Sequence, residues 1–237
     1  MSSSALKFEG DFNQISISEL TVDNMTIDTD GAILNIDSVK SLQISNLNFA
    51  NIDSYNSDSS NNYMVSISSM DLSASITSLI QNFTVHNCMI GVLTIKALSG
   101  NFNDGNMLTI QDMIISNSTL SKSIDLIALT SLTTYESYSI TFSNIVFENL
   151  ELLQNSNLFN FAHILKLPVI IKDSAFQNIT GGQITIGSFT TEITDLSTML
   201  SFQNITAQNI NAQFGSFIQL HTGAELSIEN SSFSNIS

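Results

Sequence analysis

The same alternation of apolar and polar positions returns eight times along the chain. The copies are Ile17–Met25, Ile44–Ile52, Ile80–Cys88, Ile110–Ser118, Phe142–Leu150, Ile171–Ile179, Phe202–Ile210 and Ile228–Ile236. The first position is always Ile or Phe. The third is polar: Glu19, Asn46, Asn82, Asp112, Asn144, Asp173, Asn204 and Asn230. The sixth is apolar: Val22, Phe49, Val85, Ile115, Phe147, Phe176, Ala207 and Phe233. The eighth never varies: Asn24, Asn51, Asn87, Asn117, Asn149, Asn178, Asn209 and Asn235. Successive asparagines lie 27, 36, 30, 32, 29, 31 and 26 residues apart by subtraction. A period near 30 with unequal spacers marks a solenoid whose loops vary while its rungs do not.

Two places upstream of each copy stand Ile15, Leu42, Ser78, Leu108, Ile140, Val169, Leu200 and Leu226, of which only Ser78 is not aliphatic. Apolar residues at alternate positions followed by a polar one predict a short half-buried strand, Leu-x-Ile-x-Asn. A turn is expected at the third and fourth positions, then a second short strand that stops at the eighth-position asparagine. Asparagine suits that stop because it tolerates the left-handed backbone conformation at small steric cost. Its amide also carries a donor and an acceptor, so asparagines stacked about 4.8 Å apart can bond up the column as a ladder. A third apolar stretch follows, as in Gly31–Ile36, Met64–Ile67, Gly91–Ile95, Ile124–Leu129, Leu158–Phe161, Gly182–Ile186 and Gly215–Leu220. Three short strands per turn describe a parallel β-helix. The single proline fits, because nearly every N–H is needed by a neighbouring rung.

The Leu-x-Ile-x-Asn and Phe-x-Asn-Ile pieces, with their asparagine column, resemble the right-handed β-helix of the pectate-lyase-like superfamily. Gly-Ala-Ile at 31–33 and Gly-Gly-x-Ile at 181–184, alternating with Phe-x-Asn-Ile, are similar to the repeats of bacterial polymorphic outer-membrane proteins and related surface adhesins. Those repeats are usually written Gly-Gly-Ala-Ile and Phe-x-x-Asn, one residue longer in the second motif. The resemblance implies an all-β, right-handed parallel β-helix of about eight coils of roughly 30 residues. It does not select a function, since this scaffold carries enzymes, adhesins and fibres alike.

The repeat runs without a break, so one domain is expected over 1–237, with 1–14 as its N-terminal edge and repeats over 15–237. Asn235-Ile236-Ser237 reads as mid-turn, and the chain is expected to be part of a longer one or to join end to end. Met1–Lys7 lacks the apolar stretch of a signal peptide. The longest apolar run, Leu158–Ile171, is broken by Asn160, His163, Lys166 and Pro168 and is too short to span a bilayer. Six lysines, no arginine and 21 acidic residues give a net charge of −15. That charge repels nucleic-acid backbones and anionic membranes. The single cysteine, Cys88, excludes an internal disulfide framework and reads as a small buried hydrophobe.

Candidate chemistry is sparse. Polysaccharide lyases of this fold use calcium and a basic residue, often arginine, and this chain has no arginine and no clustered lysine site. Hydrolases need paired carboxylates, but the superfamily's Asn-Thr-Asp, Asp-Asp and His-Gly motifs are missing. Asp112 and Asp173 share a repeat position two rungs apart, with Asn144 between them, and read as substitutes for asparagine in a polar column. His86, His163 and His221 show no metal-ligand spacing. Asn101, Asn103 and Asp104 could offer oxygens to calcium, yet no calcium repeat is present. The fifth position, running Thr21, Asn48, Thr84, Ile114, Val146, Ala175, Thr206, Ser232, is not the threonine column of an ice-binding face. Seven Asn-x-Ser/Thr sequons occur, four of them on ladder asparagines. Asn82, Asn204 and Asn230 at the third position are the better N-glycosylation candidates.

The expected function is that of a non-catalytic extracellular or cell-surface structural or adhesive module without cofactor or metal. Its expected partners are further copies, other surface or fibre proteins, or glycans. The alternative is a carbohydrate-active β-helix enzyme or glycan-binding module.

Overall fold

In the computed structural model, sixteen non-glycine residues have positive φ among the described residues, all between 48° and 60°. They are the third- and eighth-position residues of all eight copies, from Glu19 and Asn24 to Asn230 and Asn235. The structure describes residues 5–27, 31–54, 62–71, 78–96, 98–99, 108–126, 139–153, 157–162, 168–181, 184–187, 198–212, 217–220 and 224–237. Left-handed backbone is costly for most L-residues and least so for Asn and Asp. Thirteen of the sixteen bends carry Asn, two third-position bends carry Asp (Asp112 and Asp173), and Glu19 is the one exception.

Seventeen strands are described: β1 (Leu6–Ser18), β2 (Thr21–Ile27), β3 (Ala32–Ser54), β4 (Tyr63–Asp71), β5 (Ser78–His86), β6 (Gly91–Ile95), β7 (Leu98–Ser99), β8 (Leu108–Leu120), β9 (Ile124–Leu126), β10 (Ile140–Leu152), β11 (Phe159–Ala162), β12 (Val169–Thr180), β13 (Ile184–Gly187), β14 (Thr198–Asn211), β15 (Ile218–Leu220), β16 (Ala224–Glu229) and β17 (Ser232–Ile236). They form one parallel β-solenoid, with no helix among the described residues. First-position residues stand in register from coil to coil: Ile17↔Ile44, Ile44↔Ile80, Ile80↔Ile110, Ile110↔Phe142, Phe142↔Ile171, Ile171↔Phe202 and Phe202↔Ile228. The third apolar stretch is equally regular, with Leu34↔Val65, Val65↔Leu93, Leu93↔Ile124 and Ile124↔Phe159.

One expectation needs correction. The expected strand ends hold at the turns of the first and last repeats, where β1 stops at Ser18 and β16 at Glu229, and at Asn87, before which β5 stops, but in the other repeats the strands run on through both bends. In β8 and β10, 13 residues each, pairing runs past Asn117 and Asn149 to Leu150↔Ser118 and Leu152↔Leu120. The physical reason is that one left-handed residue swings the chain around a corner while its neighbours' N–H and C=O groups keep pointing along the solenoid axis. Pairing skips the corner residues themselves and resumes directly beyond them, and β3 runs for 23 residues through two such corners.

Fourth- and sixth-position side chains point in: Leu47, Phe49, Phe83, Val85, Met113, Ile115, Ile145, Phe147 and Phe176 are all buried. Phenylalanines dominate the middle of the core, where Phe147 stacks on Phe159 at 5.4 Å and meets Phe176 edge-on at 5.6 Å. Each such buried side chain stabilises the fold by about 1.5–3 kcal/mol. Ser78, the exception in its aliphatic column, is fully buried, and its Oγ accepts from the Leu42 backbone N–H at 3.2 Å. No helix is long and apolar enough to cross a membrane among the described residues.

Candidate functional site

The two bend columns bring the polar residues of the repeat together. At the eighth position, Asn235 donates Nδ2 to Asn209 Oδ1 at 2.9 Å, Asn209 to Asn178 at 3.0 Å, Asn178 to Asn149 at 2.9 Å and Asn149 to Asn117 at 3.0 Å. Asn87 donates to Asn51 at 3.4 Å, and Asn51 turns aside to Asp23 Oδ1 at 2.8 Å rather than to Asn24. At the third position the bonds come in pairs: Asn82 to Asn46 at 2.9 Å, Asn144 to Asp112 at 2.8 Å and Asn204 to Asp173 at 2.8 Å. Every one of these bonds runs from the later coil to the earlier one.

That direction explains the pairs. An ionised aspartate accepts but cannot donate, so Asp112 and Asp173 each receive the next coil's amide and pass nothing back. Both carboxylates lie on exposed-to-half-exposed corners with φ of 55° and 52°, each already holding an asparagine. Asn144 occupies the intervening coil and bonds Asp112 at 2.8 Å.

The reason for separating Asn82 and Asn204 from the eighth-position sequons does not hold. Their Nδ2 atoms, the atoms a glycan would join, are bonded to Asn46 and Asp173 as the eighth-position amides are bonded in their own column. Both are exposed, as is Asn230. Asn24, the eighth-position asparagine of the first copy, is also exposed.

His86, at the seventh position, is half-buried and its Nδ1 lies 3.0 Å from Ser116 Oγ, the seventh-position residue of the next coil. Cys88 is buried, as its repeat position foretold, and burial pushes its thiol up from the ordinary value. Its backbone N–H donates to Ser118 Oγ at 3.0 Å, the small residue at the same position one coil on. His163, His221, the calcium candidates Asn101, Asn103 and Asp104, and most of the polar loops around 53–62 and 130–138 lie outside the described residues.

A polar cluster that the sequence did not announce sits on the third stretch. Tyr63 donates its hydroxyl to Asp125 Oδ2 at 2.6 Å, and Lys122 Nζ lies 3.5 Å from the same oxygen. Asp125 is the one buried charged side chain among the described residues. Tyr63 stands in register with Gly91 and Asp125 with Thr94, so the tyrosine reaches over one coil to meet the aspartate two coils away. Gly91 makes room: a Cβ there would lie 2.6 Å from Asn62 O and 2.8 Å from the Tyr63 ring. Burial first, and then the Asp125 charge, drive the phenol well above its ordinary value. The available signal was Asp125 itself, an acidic residue inside the apolar run Ile124-Asp-Leu126. Among the described residues no three His, Cys, Asp or Glu side chains gather as a metal site.

Compared with family models, curated proteins and solved structures, the chain matches none. The likeness drawn from its repeats therefore stands at the level of a parallel β-solenoid.

Proposed function

We propose that the protein is a non-catalytic structural or adhesive module of an extracellular or cell-surface assembly. In this reading the solenoid is a right-handed β-helix of about eight coils, with an asparagine ladder along its corners, acting as a stiff rod. Its partners are further copies or other surface and fibre proteins. One observation carries the reading. The carboxylates best placed to serve as a catalytic pair, Asp112 and Asp173, are committed to the corners, each accepting an asparagine amide at 2.8 Å. Polar groups spent on coil-to-coil bonding support a mechanical role.

The test is depolymerisation of neutral and acidic polysaccharides by the purified chain, read as release of reducing ends. No release is expected. Cleavage that disappears in Asp112→Ala or Asp173→Ala would establish the carbohydrate-active alternative and end this reading.

A further inference from the structure

Among the described residues the eighth-position column is two runs rather than one. Asn87 bonds Asn51, while Asn117, Asn149, Asn178, Asn209 and Asn235 form a run of their own, with no described bond from Asn117 to Asn87. The gap falls where β5 stops at His86, short of the Asn87 corner. Just beyond that corner the Cys88 N–H donates to the Ser118 hydroxyl at 3.0 Å, and Met89 pairs with Thr119 as an isolated bridge. Asn117 therefore begins the second run. Its Oδ1 accepts from Asn149 at 3.0 Å, which orients the amide, and its Nδ2 has no partner among the described residues.

That combination singles out one of the seven Asn-x-Ser/Thr sequons. Asn82, Asn178, Asn204 and Asn235 each donate Nδ2 to the preceding coil at 2.8–2.9 Å. An asparagine amide has two N–H donors. A sugar on any of those four could replace only the second, beside a coil stacked about 4.8 Å away. No described bond orients the amides of Asn24 and Asn230. Asn117, in Asn117-Ser118-Thr119, has an oriented amide with both N–H groups free, on an exposed corner with φ of 48°.

The surrounding surface points to the same place. Ile114, three residues earlier, is 46 % exposed, and Met89, bridged to Thr119 from the preceding coil, is 36 % exposed. A bulky, solubilising group rooted between them would cover apolar surface that otherwise meets water. Resting on the extracellular reading above, we propose that Asn117 carries an N-linked oligosaccharide, which the folded solenoid holds without giving up a corner bond. The donor is a lipid-linked oligosaccharyl diphosphate. Nδ2 forms the bond to the anomeric carbon, the anomeric C–O bond breaks, the lipid diphosphate leaves and one Nδ2 proton is released. Oδ1 goes on accepting from Asn149, because the new bond is made at nitrogen.

Transfer acts on the chain before its coils close, so the readout is taken on secreted, folded material. The 237-residue chain is secreted behind a signal peptide through a eukaryotic pathway in two single-sequon forms. Hydroxyl residues rather than asparagines are replaced, so every corner stays intact. Both forms carry Thr26→Ala, Thr84→Ala, Thr206→Ala, Ser232→Ala and Ser237→Ala. One adds Thr180→Ala and keeps the Asn117 sequon, and the other adds Thr119→Ala and keeps that of Asn178. The same two chains made in a bacterial cytoplasm give the thermal unfolding midpoints without glycan and show that each set of substitutions folds. Glycopeptide mapping is expected to find the first form modified at Asn117, with a midpoint no lower than its unmodified counterpart. The second form is expected to be secreted largely unmodified, or to melt below its counterpart where modified. An unmodified Asn117, or a glycan there that lowers the midpoint as much as one at Asn178, would overturn the proposal and leave the non-catalytic reading standing. Polysaccharide cleavage by the glycosylated chain would remove that reading and leave the site at Asn117 untouched.

Discussion

Tyr63 and Asp125 are 62 residues apart in sequence, yet the phenol hydroxyl donates to the buried carboxylate at 2.6 Å across an intervening coil. A buried acceptor that loses its donor keeps its desolvation penalty, so Tyr63→Phe should destabilise the fold by about 1–3 kcal/mol. Asp125→Asn, which retains an acceptor for the phenol, should cost less. Denaturant unfolding of both single variants and the double variant checks this. Purely additive losses would show that the two groups do not interact energetically.

The same pair gives stability a pH dependence with a definite sign. Burial and the Asp125 charge raise the folded-state phenol above its ordinary value of 10.0. The unfolded phenol then loses its proton first as pH rises, so the unfolded state binds fewer protons and stability falls with increasing pH. The Tyr63 contribution is fully present below about pH 10 and declines above it. Buried Cys88, also raised, acts the same way from its ordinary 9.0 upward. Unfolding midpoints in a Cys88→Ser background should fall between pH 9 and pH 11 more steeply with Tyr63 than with Phe at that position. Parallel curves would remove the phenol from the account.

Gly91 tests the packing around the pair. An added Cβ would sit 2.6 Å from the Asn62 carbonyl oxygen, which is backbone and itself accepts the Gly91 N–H at 3.0 Å. Gly91→Ala must therefore push coil from coil or displace Tyr63, and overpacking of this kind costs about 1–3 kcal/mol. Denaturant unfolding of Gly91→Ala reads that loss. An unchanged midpoint would mean that the corner relaxes freely.

What the sequence made legible was whatever repeats. The invariant eighth-position asparagine and the alternating Ile and Phe positions lead directly to the parallel register, because each coil solves the same backbone problem with the same residue. The third position was legible as a turn but not as a second left-handed corner, since Glu19, Asp112 and Asp173 dilute the asparagine signal there. The Tyr63–Asp125 bond was not legible, because it joins non-adjacent coils and depends on the absence of a side chain at Gly91. Nor could the pattern show that Asn82 and Asn204 are bonded. That required the direction of each amide, which no spacing encodes.

Asn149 separates the two services an eighth-position asparagine performs, a left-handed corner and a bonded amide. Its φ is 54°, and it accepts from Asn178 while donating to Asn117. Glycine adopts that φ without penalty but supplies no amide, whereas alanine supplies neither. Asn149→Ala should be the more destabilising, by about 1–2 kcal/mol relative to Asn149→Gly, the cost of left-handed backbone for a residue with a Cβ. Equal losses in thermal or denaturant unfolding would assign the whole effect to the side-chain amide bonds.

Column direction makes the sharpest demand on two asparagines that look alike in sequence. Asn178 both accepts from Asn209 and donates to Asn149, at 3.0 and 2.9 Å. Asn46 accepts from Asn82 at 2.9 Å, with the carboxylate of Glu19 at the same position one coil earlier. Aspartate tolerates the left-handed corner about as asparagine does and still accepts, but when ionised it cannot donate. Asn178→Asp should therefore cut the column and cost about 0.5–1.5 kcal/mol, the usual net contribution of one hydrogen bond. Asn46→Asp should fall within about 0.5 kcal/mol of wild type, measured in high salt so that its new charge is screened from Glu19. The comparison reads direction rather than composition, because both variants make the same chemical change at the same kind of corner. Equal losses at the two positions would mean that the amide bonds carry no directional preference.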